Sequence, residues 1–440
     1  KDLIETLVNK IFLLFLILLF SNNCSFHSKS KFWTNEKKIK QEKKESDKRE
    51  LFVLESALHK ELNPELEIKL RLTNLSFDKS NKNNNSITKY IGNLEKISKF
   101  KFSKIEYFNQ YEPEIIFEKE NIIFFDNKGA IVKFDKDSNL IWKKNYYSKS
   151  EKKVNPFLFF SRNKNILIVA DTISRYYALD VNSGNLIWSH YNNAPFISDV
   201  KIDKEKVFVV DSNNILRCFS LKDGLLIWEY KSNNSTIKSS KKISIAISDN
   251  KVLFNNSIGD ISAVDISSGN LIWITPTASK QNLIQPYLFK ISDLVIQESS
   301  VLFSNNSNEF FSIDINTGFI NWTQKINSYI RPAIVNDLIF TITSEGYLVV
   351  IDNPSGNIIR VTDVFDSYKI KKRKKIKPIG FSVGKKDIFL STNQGKLLII
   401  DILTGKTKSV LKIDNDQISR PFFSNKNLYL IKENSIIKLN

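Results

Sequence analysis

The sequence predicts an all-β fold, an eight-bladed β-propeller built from four-stranded antiparallel blades and closed by an N-terminal strand. Three observations predict it: a motif returning at a nearly constant step, short alternating apolar runs ahead of each copy, and a proline or polar break opening each period. The motif is plainest as Asp180-Val-Asn-Ser-Gly184-Asn-Leu-Ile-Trp188, which returns as Asp265-Ile-Ser-Ser-Gly269-Asn-Leu-Ile-Trp273. Looser copies are Ser220, Gly224 and Trp228; Asp314, Gly318 and Trp322; Asp352, Gly356 and Arg360; and Asp401, Gly405 and Ser409. The first copy, Asp135 to Trp142, is one residue shorter and carries Asn139 near the glycine position. First positions advance by 45, 40, 45, 49, 38 and 49 residues. That step is the period of a propeller blade or of a helical array.

The pattern inside each period chooses between the two. An apolar run such as Ile166–Val169 is followed by a polar turn and a second run such as Tyr176–Leu179. Alternation over a few residues, bounded by Asn, Asp, Ser and Gly, reads as strands of an up-and-down sheet. Units open near Pro113, Pro156, Pro195, Pro286, Pro332, Pro378 and Pro421, with the fourth opening near Ile237. The result is eight units of about four strands, a propeller.

Each motif position has a physical reason. Asp ends the third strand, and its carboxylate accepts backbone N–H groups of the following turn. Gly, four residues on, supplies positive φ. Trp sits on the outer strand, where its ring packs on the next blade and its N–H finds a backbone carbonyl. Arg360 and Ser409 replace Trp in the sixth and seventh units, which predicts looser junctions there. The eighth unit has room for three strands, around Phe422, Asn427–Ile431 and Ser435–Leu439. An open edge strand invites aggregation, so Phe100–Phe108 is expected to close the ring.

Ala178-x-Asp180-x-x-x-Gly184-x-x-x-Trp188 and Ala263-x-Asp265-x-x-x-Gly269-x-x-x-Trp273 match the repeat of the pyrroloquinoline-quinone-type propellers. Within that group the chain resembles the BamB-like lipoproteins of the outer-membrane β-barrel assembly machinery, over about residues 100–440. The resemblance implies a scaffold without enzymatic activity or cofactor. Its implied partners are the β-barrel insertase and its periplasmic domains, other assembly lipoproteins, and unfolded outer-membrane proteins. The implied location is the periplasmic face of the outer membrane. Alternative readings are another periplasmic scaffold or sensor module, and a quinone-dependent dehydrogenase. The dehydrogenases commonly combine a central quinone and calcium ion with adjacent cysteines and long inserted loops; this chain has no adjacent cysteines, and its units are short.

The N-terminus fits the lipoprotein resemblance. Lys10 precedes ten apolar residues, Ile11 to Phe20, and Cys24 follows closely. That run is too short for a bilayer span, which takes about 20 residues, but suits a signal-peptide core. Residues 1–23 therefore read as a signal peptide and Cys24 as the lipidated residue, with Asn23 standing where such sites usually have a smaller one. Residues 24–99 read as a largely disordered tether, with a short helix near Leu51–Leu62 and a Lys/Asn/Ser run at 79–86. The propeller spans 100–440.

The residues that carry chemistry are sparse. The histidines are His27, His59 and His190, and no His/Cys/Asp/Glu set has metal-ligand spacing. Cys218, beside Phe219, reads as a buried thiol. The formal charge of +18 favours anionic surfaces. Its sharpest cluster is Lys371-Lys-Arg-Lys-Lys375, flanked by Lys369 and Lys377, between the sixth and seventh units. Lipid head groups or an acidic partner suit that cluster; nucleic acid does not suit an exported chain.

Overall fold

The computed structural model describes residues 60–70, 82–85, 87–106, 108–232, 242–277 and 289–440. The signal segment 1–23, Cys24, His27, His59, Pro286 and the region around Ile237 lie outside the described residues.

Eight four-stranded antiparallel sheets follow one another, each meandering from an inner to an outer strand. The first seven blades span 116–144, 158–191, 201–231, 245–275, 295–324, 333–363 and 378–412. The eighth combines Phe422–Ser424, Asn427–Lys432 and Ser435–Leu439 with Lys96–Lys101, which pairs beside Ser435–Leu439. The closing strand thus lies upstream of the expected Phe100–Phe108. Fully buried Phe100 faces Phe134 of blade 1 at 5.7 Å between ring centroids. After Lys101 the chain must turn toward the inner strand of blade 1, and the backbone N–H of Ile105 donates to Glu433 O at 2.8 Å on the way.

One contact repeats between neighbouring blades. The indole N–H of Trp142, Trp188, Trp228, Trp273 and Trp322 donates to the carbonyls of Val181, Leu221, Ile266, Ile315 and Asn353, at 2.9–3.2 Å. Each acceptor directly follows the Asp or Ser position of the next motif copy. The glycine of that copy lies under the ring. In chain order Gly184, Gly224, Gly269, Gly318 and Gly356 face those five indoles, and a Cβ added to any of them would stand 2.5–2.9 Å from the ring. The turn itself is tied by its aspartate: Asp265 Oδ1 accepts the backbone N–H groups of Ser267 and Ser268. In the shorter first copy the positive φ falls on Ser138, at +69°.

The junction between blades 6 and 7 differs from the loose contact expected at Arg360. That side chain is fully buried, and its guanidinium donates to the carbonyls of Leu66, Ile402 and Leu403. Ile402 follows Asp401, so arginine uses the acceptor position that tryptophan uses elsewhere. Gly405, at φ +71°, underlies the guanidinium as the other glycines underlie the indoles; an added Cβ would stand 2.8 Å from Arg360 Nη2. Between blades 8 and 1, Lys438 Nζ reaches Lys136 O, which follows Asp135, at 3.3 Å. Blade 8 has no Asp–Gly turn joining its last two strands, because the fourth strand comes from upstream. Beside Ser409 the junction is filled instead by the rings of Tyr90, Phe389 and Phe423, 5.0–5.5 Å apart.

Tyr90 and Leu66 belong to the stretch read as a loose tether, and that reading needs narrowing. Leu62 exchanges two backbone hydrogen bonds with Val361, at 3.1 and 2.9 Å, on the outer strand of blade 6. Residues 82–85 lie at the ring axis, described below, and Thr88 N donates to Val383 O at 2.8 Å. The Lys/Asn/Ser run has a disordered composition, yet its amide side chains satisfy backbone groups that the inner strands leave open.

Trp188→Ala and Arg360→Ala are each expected to destabilise the protein by about 3–5 kcal/mol, the scale of large core truncations. Thermal unfolding of the purified variants measures this; an unshifted transition in either removes that residue from the set holding the junctions.

Candidate functional site

Inner strands converge on the axis, so what precedes each of them lines one mouth of the central channel. Glu114, Asp199, Asp293, Arg331 and Arg420 stand two residues before their inner strands, and Lys242 stands three before its own. Their partners cross blade boundaries. Glu114 Oε1 accepts from Arg420 Nη2 at 2.9 Å and lies 3.6 Å from Arg331 Nη2 and 3.9 Å from Lys242 Nζ. Lys242 Nζ also meets Asp199 Oδ1 at 2.8 Å, and Arg331 Nε donates to Asp293 Oδ2 at 2.6 Å. The network links blades 1, 3, 4, 5, 6 and 8. A small cleft opens against it, lined by Lys242, Asp293, Tyr329, Arg331, Phe381 and Arg420.

The electrostatics follow from burial and pairing. Burial alone would raise Glu114, but Lys242, Arg420 and Arg331 hold it at about 2. Asp293 is likewise depressed against its burial by Arg331 and Lys242. Asp199 is raised, because burial outweighs Lys242 and Glu114 adds repulsion. Burial depresses Lys201 on the adjoining inner strand. These charges neutralise one another rather than standing ready for a reaction.

Deeper in the channel the chain meets itself. Fully buried Asn84 donates through Nδ2 to Ile245 O and Leu294 O, both at 2.9 Å, and accepts from Lys201 Nζ at 2.5 Å. Asn85 exchanges two hydrogen bonds with the backbone of Ile334, both at 3.0 Å. Ile247 N and Ile296 N donate to Lys82 O and Asn83 O. Four consecutive residues thereby tie blades 4, 5 and 6 together at the centre, with Lys82–Asp203 adding blade 3 at 2.7 Å.

Among the described residues no group of three or more His, Cys, Asp or Glu is placed to hold a metal ion. The axial carboxylates are engaged by lysines and arginines, and the centre is occupied by Asn84. These residues do not fit a quinone with its cation. His190 is a junction residue: it is half-buried, its Nε2 lies 2.8 Å from Asp223 O, and its ring packs near Tyr176 and Trp188. Cys218 is buried, and burial pushes its thiol up to about 12.

The outer rim carries a second feature. In the seven blades with a complete meander the pairing of third and outer strands shifts register at one point. In blade 2 that shift leaves Ile187 without a partner, between paired Leu186 and Trp188. Leu140 and Ile141, Leu186 and Ile187, Leu226 and Ile227, and Leu271 and Ile272 are exposed as a result, and Phe319 in blade 5 is 76% exposed. On blade 6 the corresponding Ile358 and Ile359 are less exposed; there Leu62 pairs with the edge, and Asn63 Nδ2 donates to Ile359 O at 3.1 Å. The structure therefore puts the Asp, Gly and Trp positions at blade junctions, Gly318, Gly356 and Gly405 among them, while the groups facing the axis and the rim escaped sequence reading. Two signals pointed to them: a charge directly beside a proline, as in Pro113-Glu114, Arg331-Pro332 and Arg420-Pro421, and the Leu-Ile pair ahead of Trp.

Comparison with known proteins follows the same lines. The family profile of the outer membrane protein assembly factor BamB matches residues 118–362. BamB from Moraxella catarrhalis superposes with a TM-score of 0.63 at 14% identity, covering 79% of this chain and 99% of that one. The computationally designed Ika8 protein gives 0.59 at 12% identity, over 77% of this chain and 99% of its own. The quinohemoprotein alcohol dehydrogenase ADHIIG from Pseudomonas putida gives 0.58 at 10% identity, over 80% and 76%. At such identities these likenesses establish the fold alone. No curated protein matches the sequence.

Glu114 makes acid sensitivity testable. Its folded value of about 2 lies below its ordinary 4.5, so its contribution is complete above the ordinary value and is lost as pH falls toward 2. Glu114→Gln is expected to cost about 3–5 kcal/mol at neutral pH, the scale for breaking a buried pair. It should also flatten the decline in stability over that acid range. Denaturant unfolding across pH measures both, and parallel curves for the two proteins would exclude Glu114 as the group responsible.

Proposed function

The chain belongs to the family of the outer membrane protein assembly factor BamB, and from that premise we propose that it is a non-catalytic scaffold of outer-membrane β-barrel assembly. It docks on the insertase through that protein's periplasmic domains, works beside other assembly lipoproteins, and presents unfolded outer-membrane proteins for insertion. The chain is held at the periplasmic face of the outer membrane by lipid on Cys24.

The observation that carries this reading is the rim. Outer strands of blades 1–4 present Leu-Ile pairs to solvent, Phe319 and Ile320 are exposed where that of blade 5 begins, and the strand edges have backbone groups facing outward. Blade 6 supplies the internal example, with Leu62 bonded to Val361 as an added strand residue. Docking by strand addition takes its affinity from main-chain hydrogen bonds and tolerates varied sequences, which suits a client class whose members share strands rather than motifs. The axis supports the same reading, because paired charges and Asn84 make a rigid hub there.

Affinity capture from the native envelope, with tagged full chain in mild detergent and mass spectrometry of what is recovered, tests the proposal. The expected result is recovery of the insertase and its lipoproteins. Changing Leu226, Ile227, Leu271 and Ile272 to Ser should reduce that recovery several-fold without altering thermal unfolding. Clean recovery of the chain without the insertase would sink the proposal and direct attention to quinone and calcium titration.

A further inference from the structure

The connection between blades 6 and 7 is a built projection rather than a slack loop. Its short helix, Ile370–Arg373, is closed by backbone bonds from Arg373 N to Lys369 O and from Lys374 N to Ile370 O. Arg373 turns inward to pair with Asp363 and lies 5.2 Å from the Tyr347 ring centroid. Ile376 is buried, Lys377 N donates to Asn393 Oδ1 at 2.7 Å, and Asn393 Nδ2 donates to Lys375 O at 3.1 Å. What faces solvent is different. Lys369, Lys371, Lys372, Lys374, Lys375 and Lys377 are all exposed, and no ion pair engages any of them among the described residues. Ile370 stands among them, 76% exposed.

We propose that this projection docks on an anionic lipid surface. The side-chain chemistry selects that partner over an acidic protein. Arginine, the residue whose planar fork recognises a particular carboxylate, is turned inward here; only lysines, flexible point charges, face outward. They surround solvent-exposed Ile370, so their charge is spread over an area rather than focused on one group. An aliphatic tip amid cations suits the boundary between head groups and acyl chains, where apolar burial and attraction to anionic lipid act together.

A smaller copy of the arrangement supports this assignment. The connection between blades 1 and 2 contains the 3₁₀ turn Glu151–Val154, with Lys149 and Lys153 exposed and Val154 55% exposed. Both connections run from an outer strand to the next inner strand, so both emerge on the face that holds the mouth of the channel. Arg331 and Arg420 lie at that mouth. One face of the ring therefore carries two lysine projections with aliphatic tips. This inference does not rest on the assembly proposal.

Residue-resolved amide exchange of the full chain tests it, on phosphatidylcholine vesicles with and without phosphatidylglycerol. Exchange in 366–377 is expected to slow several-fold only when phosphatidylglycerol is present, and to recover in high salt. Each lysine near an anionic surface strengthens binding about fivefold, so Lys371→Glu, Lys372→Glu, Lys374→Glu and Lys375→Glu together should abolish the protection. That variant should unfold at the same temperature as the parent, because the four side chains are solvent-exposed. Ile370→Ser should weaken the protection less than charge reversal. Equal exchange on both vesicle types would overturn the proposal, as would protection that survives charge reversal. Protection by an acidic protein or an oligonucleotide but not by phosphatidylglycerol would equally overturn it and name a different partner.

Discussion

The ring depends on one contact: an indole N–H bonded to a carbonyl of the next blade, with the ring resting on a glycine. Everything about the motif serves it. The aspartate ties the turn so that the carbonyl after it points back toward the neighbour, and the glycine removes the Cβ that would collide with the indole. A tryptophan there buries about 150–250 Å² and still satisfies its polar atom, so adhesion and orientation come from the same side chain. Where the motif fails, two of the three junctions supply its hydrogen bond by other means. Arg360 reaches the equivalent acceptor with a guanidinium and Lys438 with an ammonium, while the junction beside Ser409 is sealed by three aromatic rings. At every other junction the constant element is thus a satisfied carbonyl, served by whichever donor the local chain provides.

The axis poses the opposite problem. Eight inner strands converge on a space too narrow for free solvation, and six of them arrive with a charged residue. Isolated charges there would be costly, so the network pairs each with partners on other blades, which makes the pairs into braces. Asn84 and Asn85 complete the hub with groups that donate and accept at once. A channel held this way has little freedom to rearrange around a small molecule. What the described residues leave exposed is the apolar rim and the cationic face.

Legibility in the sequence tracked how local each feature was. Asp180, Gly184 and Trp188 sit within nine residues and mark themselves by repetition, so blade number and junction residues could be read directly. The axial network takes one residue from each of six distant segments, and nothing in the neighbourhood of Asp199 or Lys242 announces Glu114. The Asn-rich run misled for a related reason. Its composition matches that of disordered chains, and only the unpaired backbone groups of distant strands give those amides a purpose. Arg360 showed a departure from the motif, but not that the departure preserved the bond, although Gly405 in its usual place was a sign that something still needed the room. The closing strand was recognisable by alternation, yet its register depends on Ile436 and Ile437, which lie at the far end of the chain.

That last pairing determines when the molecule can become itself. Lys96–Lys101 is synthesised ahead of the blades and finds its partner only when Ser435–Leu439 has emerged, so seven whole blades lie between the two halves of the closing pair. Contacts between such distant segments are entropically late. Until then the edges of blades 8 and 1 stand open. An unfinished ring of this kind exposes the same unpaired strand edges as the aggregation-prone intermediates of other large β-proteins. During its own biogenesis, therefore, the chain passes through a state in need of protection, and the pairing of Lys96–Lys101 with Ser435–Leu439 ends that exposure.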